Sequence, residues 1–374
     1  MGKILDWNQG DRLLLFIDAD CADEERIKYF QREGLKAYIK NEYLVINDSN
    51  SEMHYECDVS EFKNLTSGDI VSISANGYFF VIHEKGTGEI DIFMTNQCNS
   101  NCVMCPLSEN VRKKKNEEHL EWLREYINIL PEDIKYINVT GGEPTLGKDN
   151  FIEIMATLIG KFAYSDFQLL TNGRSMADKV FLQKVLKVTP KGMRFAIPLH
   201  ASFPELHDKI TQSKGSFVQT DRGIKNLLKE RQKVEIRIVV SKKNIDYLRE
   251  TAQYIANSYK GVFCVNFIGM EMMGNAAINR ESLWVDYSEV FQKSKAAIDL
   301  LVKAGIDVQL YNFPLCALDR GYWHIAAKSI TDYKVRFMDE CEECFVKEIC
   351  GGFFYSTKQV MNPQVLPIRK KNED

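Results

Sequence analysis

Seven of the ten cysteines fall into two groups whose spacing is typical of metal ligands. The first group is Cys98, Cys102 and Cys105, with three and then two residues between neighbours. The second group has four members: Cys316, Cys341, Cys344 and Cys350. Thiolates at such short spacings bind zinc or iron–sulfur clusters. Four thiolates close a [4Fe–4S] cluster, whereas three leave one iron open to another ligand.

The composition is that of an ordinary globular protein. The chain has 374 residues, of which 45% are hydrophobic and 27% charged, and this length predicts two or three domains. A formal net charge of −4 gives no reason to expect a nucleic acid or a membrane surface as partner. No apolar run is long enough for a membrane span, and acidic residues near the N-terminus argue against a secretory signal. Cysteine-rich chains without such a signal belong to reducing compartments, so we expect a cytoplasmic protein.

Residues 1–88 predict a small α+β domain, a candidate module for presenting a peptide substrate. Residues 13–19 (LLLFIDA) and 36–46 (KAYIKNEYLVI) have the pattern of strands, and residues 23–34 that of a helix. Asn76-Gly77 lies between two apolar runs, which predicts a β-hairpin.

Residues 89–285 alternate between short apolar strands and amphipathic helices. Strands are predicted at DIFMT, IKYINVT, FQLLTN, RFAIPLH, VEIRIVV and FCVNFIG. This alternation predicts an α/β fold in which a parallel sheet curls into a partial (β/α)6 barrel. Residues 286–362 are predicted to form a separate cysteine-rich domain that begins with a long helix, and residues 363–374 a polar tail.

Ligands of such folds bind on the loops at the C-terminal ends of the strands. The cysteine triplet follows the first predicted strand, and Gly141-Gly142-Glu143-Pro144-Thr145 follows the second. The loops after the third, fourth and sixth strands carry Thr171-Asn172-Gly173, His200-Ala201-Ser202, and Gly269 with Gly274. We therefore expect these residues to share one rim of the sheet.

The triplet Cys98, Cys102 and Cys105 and the GGEPT segment together resemble the motifs of the radical S-adenosylmethionine (SAM) enzymes, over about residues 90–285. The resemblance implies a [4Fe–4S] cluster on the three cysteines, with the amino and carboxylate groups of SAM on the open iron. It also implies that reduction, by a donor such as flavodoxin or ferredoxin, cleaves SAM to a 5′-deoxyadenosyl radical that abstracts a hydrogen atom. The cofactors supply the radical chemistry, and the protein orients the target.

The same resemblance assigns SAM contacts to the second rim loop. Gly141 and Gly142 remove side chains where the backbone must approach a cofactor closely, and Pro144 completes the segment. Glu143 is expected to accept hydrogen bonds from the methionyl amine.

Four further residues are expected to contact SAM. Thr171 and Asn172 could serve its ribose or carboxylate, although Asn172 could instead only hold a turn. Arg237, on the fifth strand, is a candidate partner for the carboxylate, or pairs with a neighbouring acid. Met104 stands where the family often has an aromatic residue, and its sulfur could pack on the adenine. The sequence singles out no catalytic acid or base.

The second cysteine group resembles the auxiliary-cluster domains of the SPASM or shorter twitch type. The segment CEECFVKEICGG has their Cys-x2-Cys-x5-Cys core, and no cysteine follows Cys350. We expect one auxiliary [4Fe–4S] cluster with Cys316 as its fourth ligand, and a structural zinc ion is the alternative. Ligation by four thiolates favours electron transfer or a structural role over substrate binding.

Enzymes with such domains modify ribosomally made peptides or protein side chains. The segments ESLWVDY, LYNFPLCALD, SITDYK and CGGFF together resemble the maturases of His-Xaa-Ser peptide systems, which implies a precursor peptide or protein as partner. Two other functions are compatible with the residues: a radical SAM enzyme acting on a small molecule, and a non-catalytic iron–sulfur or zinc regulator.

Several other residues are expected to be structural. Cys21, Cys57 and Cys264 are predicted to be buried apolar residues, and His200 a core histidine. The run Arg112-Lys113-Lys114-Lys115 is predicted to be a solvated loop, with a cover over an acidic peptide as the alternative.

Overall fold

A computed structural model describes residues 2–3, 12–16, 36–40, 43–47, 52–56, 66, 68–113, 119–330 and 334–369. The chain forms two compact units. The first comprises Met1–Ile92, Glu117–Asn138 and Ile154–Asp166, and the second Phe93–Asn116, Val139–Glu153 and Phe167–Asp374. The domain boundaries predicted after residues 88, 285 and 362 stay predictions.

The first unit contains a seven-stranded sheet. Its strands are β1 (Gly2–Lys3), β2 (Arg12–Phe16), β3 (Lys36–Lys40), β4 (Tyr43–Asn47), β5 (Glu52–Glu56), β6 (Ile70–Ile73) and β7 (Tyr78–His83). Their order is β1-β7-β6-β2-β3-β4-β5. The strands pair antiparallel, except that β2 and β3 are parallel.

The predicted hairpin at Asn76-Gly77 is confirmed. Strands β6 and β7 pair antiparallel, and Gly77, at φ 78°, donates its N–H to the oxygen of Ser74 over 2.8 Å. Residues 36–46, predicted as one strand, are instead two strands, with Lys40 paired to Tyr43. The prediction was wrong because the alternation of side chains continues across a two-residue connection, so the pattern does not show the reversal. The helix predicted at 23–34 lies outside the described residues.

The second sheet has eight strands: β8 (Glu89–Phe93), β9 (Tyr136–Thr140), β10 (Asp166–Leu170), β11 (Arg194–Pro198), β12 (Lys233–Val239), β13 (Cys264–Ile268), β14 (Asp307–Tyr311) and β15 (Ala326–Ala327). They lie side by side in chain order, and the pairs from β10 to β15 are parallel. This is the strand order of a (β/α) barrel rather than of a doubly wound sheet. The six predicted strands are confirmed, and β14 and β15 extend the sheet beyond them. Strands β16 (Val335–Arg336) and β17 (Phe353–Phe354) form a separate antiparallel pair.

The helices of the described residues are α1 (Glu109–Lys113), α2 (His119–Ile129), α3 (Asp149–Lys161), α4 (Lys179–Lys187), α5 (Pro204–Thr211), α6 (Ser216–Lys229), α7 (Leu248–Ser258), α8 (Asn275–Ile278), α9 (Arg280–Leu283), α10 (Tyr287–Lys303) and α11 (Tyr355–Met361). Of these, α2, α3, α6 and α7 confirm the amphipathic helices that the sequence predicts between the strands. A helix with the length and apolarity to cross a membrane is absent from this part of the chain.

Side-chain alternation gives the parallel strands two different faces. In β12, Val234, Ile236 and Ile238 are fully buried and apolar, whereas Glu235 and Arg237 point to the opposite face. Parallel pairing sets Arg237 beside Asn266 of β13. The apolar face supplies the hydrophobic core, and the other face carries polar side chains toward the C-terminal ends of the strands.

Helix α6 closely approaches the loop that follows β10. A Cβ atom on Gly223 would lie 2.1 Å from the carbonyl oxygen of Gly173, so a side chain fits only if backbone moves. This contact fixes the third rim loop from outside the sheet.

We expect Gly223→Ala to lower the free energy of unfolding by about 1–3 kcal/mol, because it overpacks a backbone contact. Gly160, in α3, is the matched control, since a Cβ there meets no atom within 4 Å. Gly160→Ala should raise the free energy of unfolding by about 0.5–1 kcal/mol. Urea denaturation of the two variants measures both effects, and equal effects would contradict the close contact at Gly223.

Candidate functional site

The loop that carries Cys98, Cys102 and Cys105 follows β8, and the three thiols lie near enough to one another that Cys105 helps to raise the pKa of the other two. All three are free thiols. Burial, reinforced by the neighbouring sulfur of Cys105, raises the pKa of Cys98 and raises that of Cys102 to about 12. Thiols in this state stay protonated until a metal displaces the proton.

The second rim loop lies directly against the cysteine loop. The N–H of Gly142 donates to the oxygen of Thr95 over 2.6 Å, and that of Glu143 to the oxygen of Gln97 over 2.8 Å. A Cβ on Gly141 would lie 2.6 Å from the oxygen of Thr95, and one on Gly142 2.2 Å from that of Gln97. Gly141 and Gly142 therefore lack side chains because the two loops lie directly against each other. The sequence had predicted instead that a cofactor approaches the backbone here.

The carboxylate of Glu143 is fully buried and joins the second rim loop to the third. Its Oε1 accepts hydrogen bonds from the N–H (3.1 Å) and hydroxyl (2.6 Å) of Thr145 and from the hydroxyl of Thr171 (2.7 Å). Its Oε2 accepts the N–H of Asn172 over 2.6 Å. Pro144 is buried at the start of the 3₁₀ turn that Glu143 caps. Since Oε2 accepts one hydrogen bond from the described residues, it keeps capacity for a further donor such as an amine.

Asn172 holds both its own turn and the cysteine loop. Its Oδ1 accepts the N–H of Arg174 over 3.0 Å, and its Nδ2 donates to Oδ1 of Asn99 over 2.6 Å. Arg174 donates through Nη1 to the oxygen of Asn99 over 2.6 Å and to the hydroxyl of Ser100 over 3.1 Å. The third rim loop is therefore hydrogen-bonded to the cysteine loop between Cys98 and Cys102. Of the two roles predicted for Asn172, its contacts are those of a residue that holds a turn.

The other end of the cysteine loop is held by the segment after β13. The N–H of Asn275 donates to the oxygen of Cys105 over 2.9 Å, and its Nδ2 to that of Cys102 over 3.0 Å. Nδ2 of Asn279 donates to the oxygen of Val103 over 2.9 Å. These amides hold the backbone of the loop and leave its thiols available.

Arg112 corrects the expectation of a solvated basic run. Its side chain is buried and donates to the oxygen of Leu107 over 2.7 Å and to Oδ1 of Asn101. Lys113 is exposed and pairs with Glu109, whereas Lys114 and Lys115 lie outside the described residues. The prediction was wrong for Arg112 because the charge pattern does not reveal the carbonyl groups that the fold places around it.

Met104 is buried in an apolar cluster rather than left facing an open site. Its neighbours in this cluster include Ile210, Met270 and Met272. Packing of its sulfur against an adenine stays a prediction.

Arg237 lies on the polar face of β12, beside an acid. Its Nε is 3.4 Å from Oε1 of the fully buried Glu235, an ion pair without hydrogen-bond geometry, and its guanidinium lies 5.5 Å from the ring centroid of Tyr311. Among the described residues, its terminal nitrogens have no hydrogen-bond partner. The predicted pairing with a neighbouring acid is therefore observed, and this pairing leaves the terminal nitrogens free for a carboxylate.

The rim histidine His200 is buried and neutral. Burial lowers its pKa to about 3, and that of the stacked His207 to about 4. The backbone N–H of His200 donates to Nδ1 of His207 over 3.3 Å, while Nδ1 of His200 has no partner in the described part of the chain. The expectation of a core histidine agrees with this burial.

The four cysteines of the second group line one pocket, although Cys316 lies apart from the other three in sequence. Its other walls are largely apolar and include Pro314, Phe337, Val346, Phe353, Val365 and Pro367. Cys350 accepts the N–H groups of Leu315 and Gly352, both over 3.4 Å. Burial raises the pKa of Cys316 to about 11, with the other three cysteines adding to the shift. The fold thus brings Cys316 to the other three, as the predicted ligand set requires.

The remaining cysteines have no such neighbours where the structure describes them. Cys264 is buried in β13, as predicted, while Cys21 and Cys57 lie outside the described residues. Across the described ranges, no group of three or more His, Cys, Asp or Glu side chains is arranged to hold a single metal ion.

The sequence patterns did not predict three residues that hydrogen-bond to the cysteine loop: Arg174, Asn275 and Asn279. One signal was available: each follows a predicted rim glycine by one to five residues. Their roles depend on carbonyl groups far away in the chain, which no local pattern reveals.

One part of the chain matches a known protein family. Residues 92–255 match the model of the radical SAM superfamily. The chain therefore contains a radical SAM superfamily domain, an α/β fold with a parallel sheet that resembles a partial TIM barrel. This domain type binds SAM and a [4Fe–4S] cluster, and the donor set of Cys98, Cys102 and Cys105 fits the cluster, since three free thiols lie on one short loop that is held through its backbone.

The names of the individual relatives indicate different products. The chain is 24% identical to the antilisterial bacteriocin subtilosin biosynthesis protein AlbA of Bacillus subtilis, over 61% of this chain and 51% of AlbA. It is 30% identical to the GTP 3′,8-cyclase of Helicobacter pylori, over 48% of this chain and 55% of the cyclase. The chain thus spans about half the length of these curated relatives. Among solved structures, SuiB of Streptococcus suis bound to S-adenosylmethionine is 14% identical, with a TM-score of 0.46 over 60% of this chain and 50% of SuiB.

We expect Glu143→Gln to lower the free energy of unfolding by about 1–3 kcal/mol, because an amide nitrogen cannot accept the hydrogen bonds of buried donors. Glu205→Gln, at an exposed glutamate in α5, is the matched control and should change stability by less than about 0.5 kcal/mol. Urea denaturation of the apo variants tests this. A stable Glu143→Gln protein would show that the carboxylate does not join the rim loops.

Proposed function

We propose that this protein is a radical SAM enzyme that abstracts a hydrogen atom from a ribosomally made peptide or protein and thereby matures it. The observation that carries the proposal is the trio of free thiols on the first rim loop, with the GGEPT loop hydrogen-bonded to the same loop. The radical SAM domain over residues 92–255 supports the same chemistry.

Cys98, Cys102 and Cys105 would hold the SAM-binding cluster. When bound, this cluster and SAM supply reductive cleavage of SAM to a 5′-deoxyadenosyl radical, which abstracts a hydrogen atom. The chain fixes the thiols through their backbone, offers Oε2 of Glu143 to an amine, and offers the free terminal nitrogens of Arg237 to a carboxylate. Thr171 is already bound to Glu143, so it acts by holding this carboxylate in place.

Cys316, Cys341, Cys344 and Cys350 would hold one auxiliary [4Fe–4S] cluster. The pocket that they line supports this, since a cluster with four thiolate ligands needs no open position. Such a closed cluster suits electron transfer or a structural role. The electron donor would be a flavodoxin or a ferredoxin in a reducing, cytoplasmic compartment, where thiols stay free.

A peptide substrate is favoured over a small molecule by the second cysteine site. A cluster with four thiolates has no iron left to bind a substrate, so substrate selection falls to protein surfaces that suit a peptide. Likeness to a subtilosin biosynthesis protein points the same way. So does the resemblance of the segments ESLWVDY, LYNFPLCALD, SITDYK and CGGFF to the His-Xaa-Ser maturases. The second candidate is a small-molecule radical SAM enzyme, which likeness to the GTP 3′,8-cyclases favours.

Replacing Cys98, Cys102 and Cys105 together by alanine should abolish SAM cleavage. Anaerobic reconstitution should yield about eight irons per wild-type chain and about four in the variant, because each cubane cluster has four. Iron analysis and chromatography of 5′-deoxyadenosine measure the two quantities. Wild-type protein that binds metal but forms no 5′-deoxyadenosine under reductant would be a regulator rather than an enzyme.

Incubation with a His-Xaa-Ser-rich precursor peptide, SAM and reductant should lower the peptide mass, because an oxidative maturation such as cross-linking removes hydrogen from the peptide overall. Mass spectrometry detects the change, and the triple alanine variant is the control. GTP serves as the competing substrate in a parallel reaction. Turnover of GTP with an unchanged peptide would support the small-molecule function instead.

A further inference from the structure

The segment that follows α11 lies across the pocket of the four cysteines. Residues 364–369, which we call the C-terminal strap, have no helix or strand, yet Val365 and Pro367 form part of the pocket wall. The side chain of Leu366, between them, points outward and is 75% exposed. The strap therefore meets the pocket with alternate residues.

Hydrogen bonds and an ion pair hold the strap along its length. The N–H of Gln364 donates to Oδ2 of Asp286 over 3.2 Å, and the oxygen of Ile368 accepts the N–H of Phe345 over 2.8 Å. Arg369 pairs with Glu343 over 2.9 Å. Phe345 and Glu343 flank Cys344, so the strap is bound to the segment that carries three of the four thiols.

The strap and the fourth thiol share one pocket. Val365 and Pro367 line the same pocket as Cys316, the member of the group that lies apart from the others in sequence. Cys350 accepts two N–H groups from elsewhere in the same region. Hydrogen bonds to the sulfurs and exclusion of solvent are two of the factors that set the reduction potential of an iron–sulfur cluster.

We propose that the C-terminal strap completes the auxiliary cluster site by closing the pocket against water with Val365 and Pro367. This inference rests on the proposed auxiliary [4Fe–4S] cluster. It assigns the strap to the cluster's environment rather than to a tail without function, and it makes the site a closed one. Water and chelators would then reach the cluster only when the strap moves aside.

The test uses the full chain with Cys98, Cys102 and Cys105 replaced by alanine, so that only the second site can hold iron. In this background, Val365→Ala removes most of a side chain that lines the pocket. Leu366→Ala is the matched control, since it trims the neighbouring exposed side chain.

Val365→Ala should speed iron removal by a chelator roughly tenfold or more, because it opens the pocket wall. Leu366→Ala should match the parent protein in this measurement. A truncation after Pro363 should release iron at least as fast as Val365→Ala, because it removes both wall residues. Circular dichroism of each variant separates these effects from unfolding.

Two outcomes overturn the inference and can be told apart. If the parent background holds about four irons but Val365→Ala, Leu366→Ala and the truncated protein all release iron at the parent rate, the strap has no role at the cluster. If the background holds zinc or no metal, the auxiliary cluster itself is wrong. SAM cleavage by the otherwise wild-type enzyme, measured separately, then decides whether the proposed radical chemistry survives.

Discussion

The buried carboxylate of Glu143 is the interaction on which the arrangement of the rim depends. It accepts four hydrogen bonds from residues of the second and third rim loops, and it is fully shielded from water. A buried carboxylate without donors is strongly unfavourable, so the two loops are stable only in positions that supply those donors. The backbone of the second loop is bonded in turn to the cysteine loop, and the position of the thiols follows from that of one carboxylate.

The cysteine loop is organised through its backbone and keeps its sulfur atoms free. Arg174 and Asn172 hold it between the first two cysteines, and Asn275 holds it at the last two. None of these contacts uses a sulfur atom, so they hold the loop without occupying its thiols. What binding must still overcome is the protonation that burial favours at Cys98 and Cys102.

The two cysteine groups differ in the way the chain completes them. The group of three is held by polar side chains on a rim where ligands of this fold bind, and as cluster ligands its members would leave one coordination position open. The group of four lies in a pocket with largely apolar walls, and a segment from the end of the described chain contributes to one wall. Under the proposed function, the same ligand atom would serve an open site and a closed one, and the surrounding loops would decide which.

The sequence by itself determined the six strands, the rim loops and both cysteine groups, because strand periodicity and ligand spacing are local properties. Only the tertiary structure decided what holds them. Arg174 meets its carbonyl partner 75 residues away, and Asn279 meets one 176 residues away, so neither contact has a local signature. The charge run at Arg112 predicted solvent, yet the fold surrounds that guanidinium with oxygen atoms. Burial and the pairing of polar groups depend on the whole chain. The sequence therefore predicts the residues that could do chemistry, but not the residues that hold them in place.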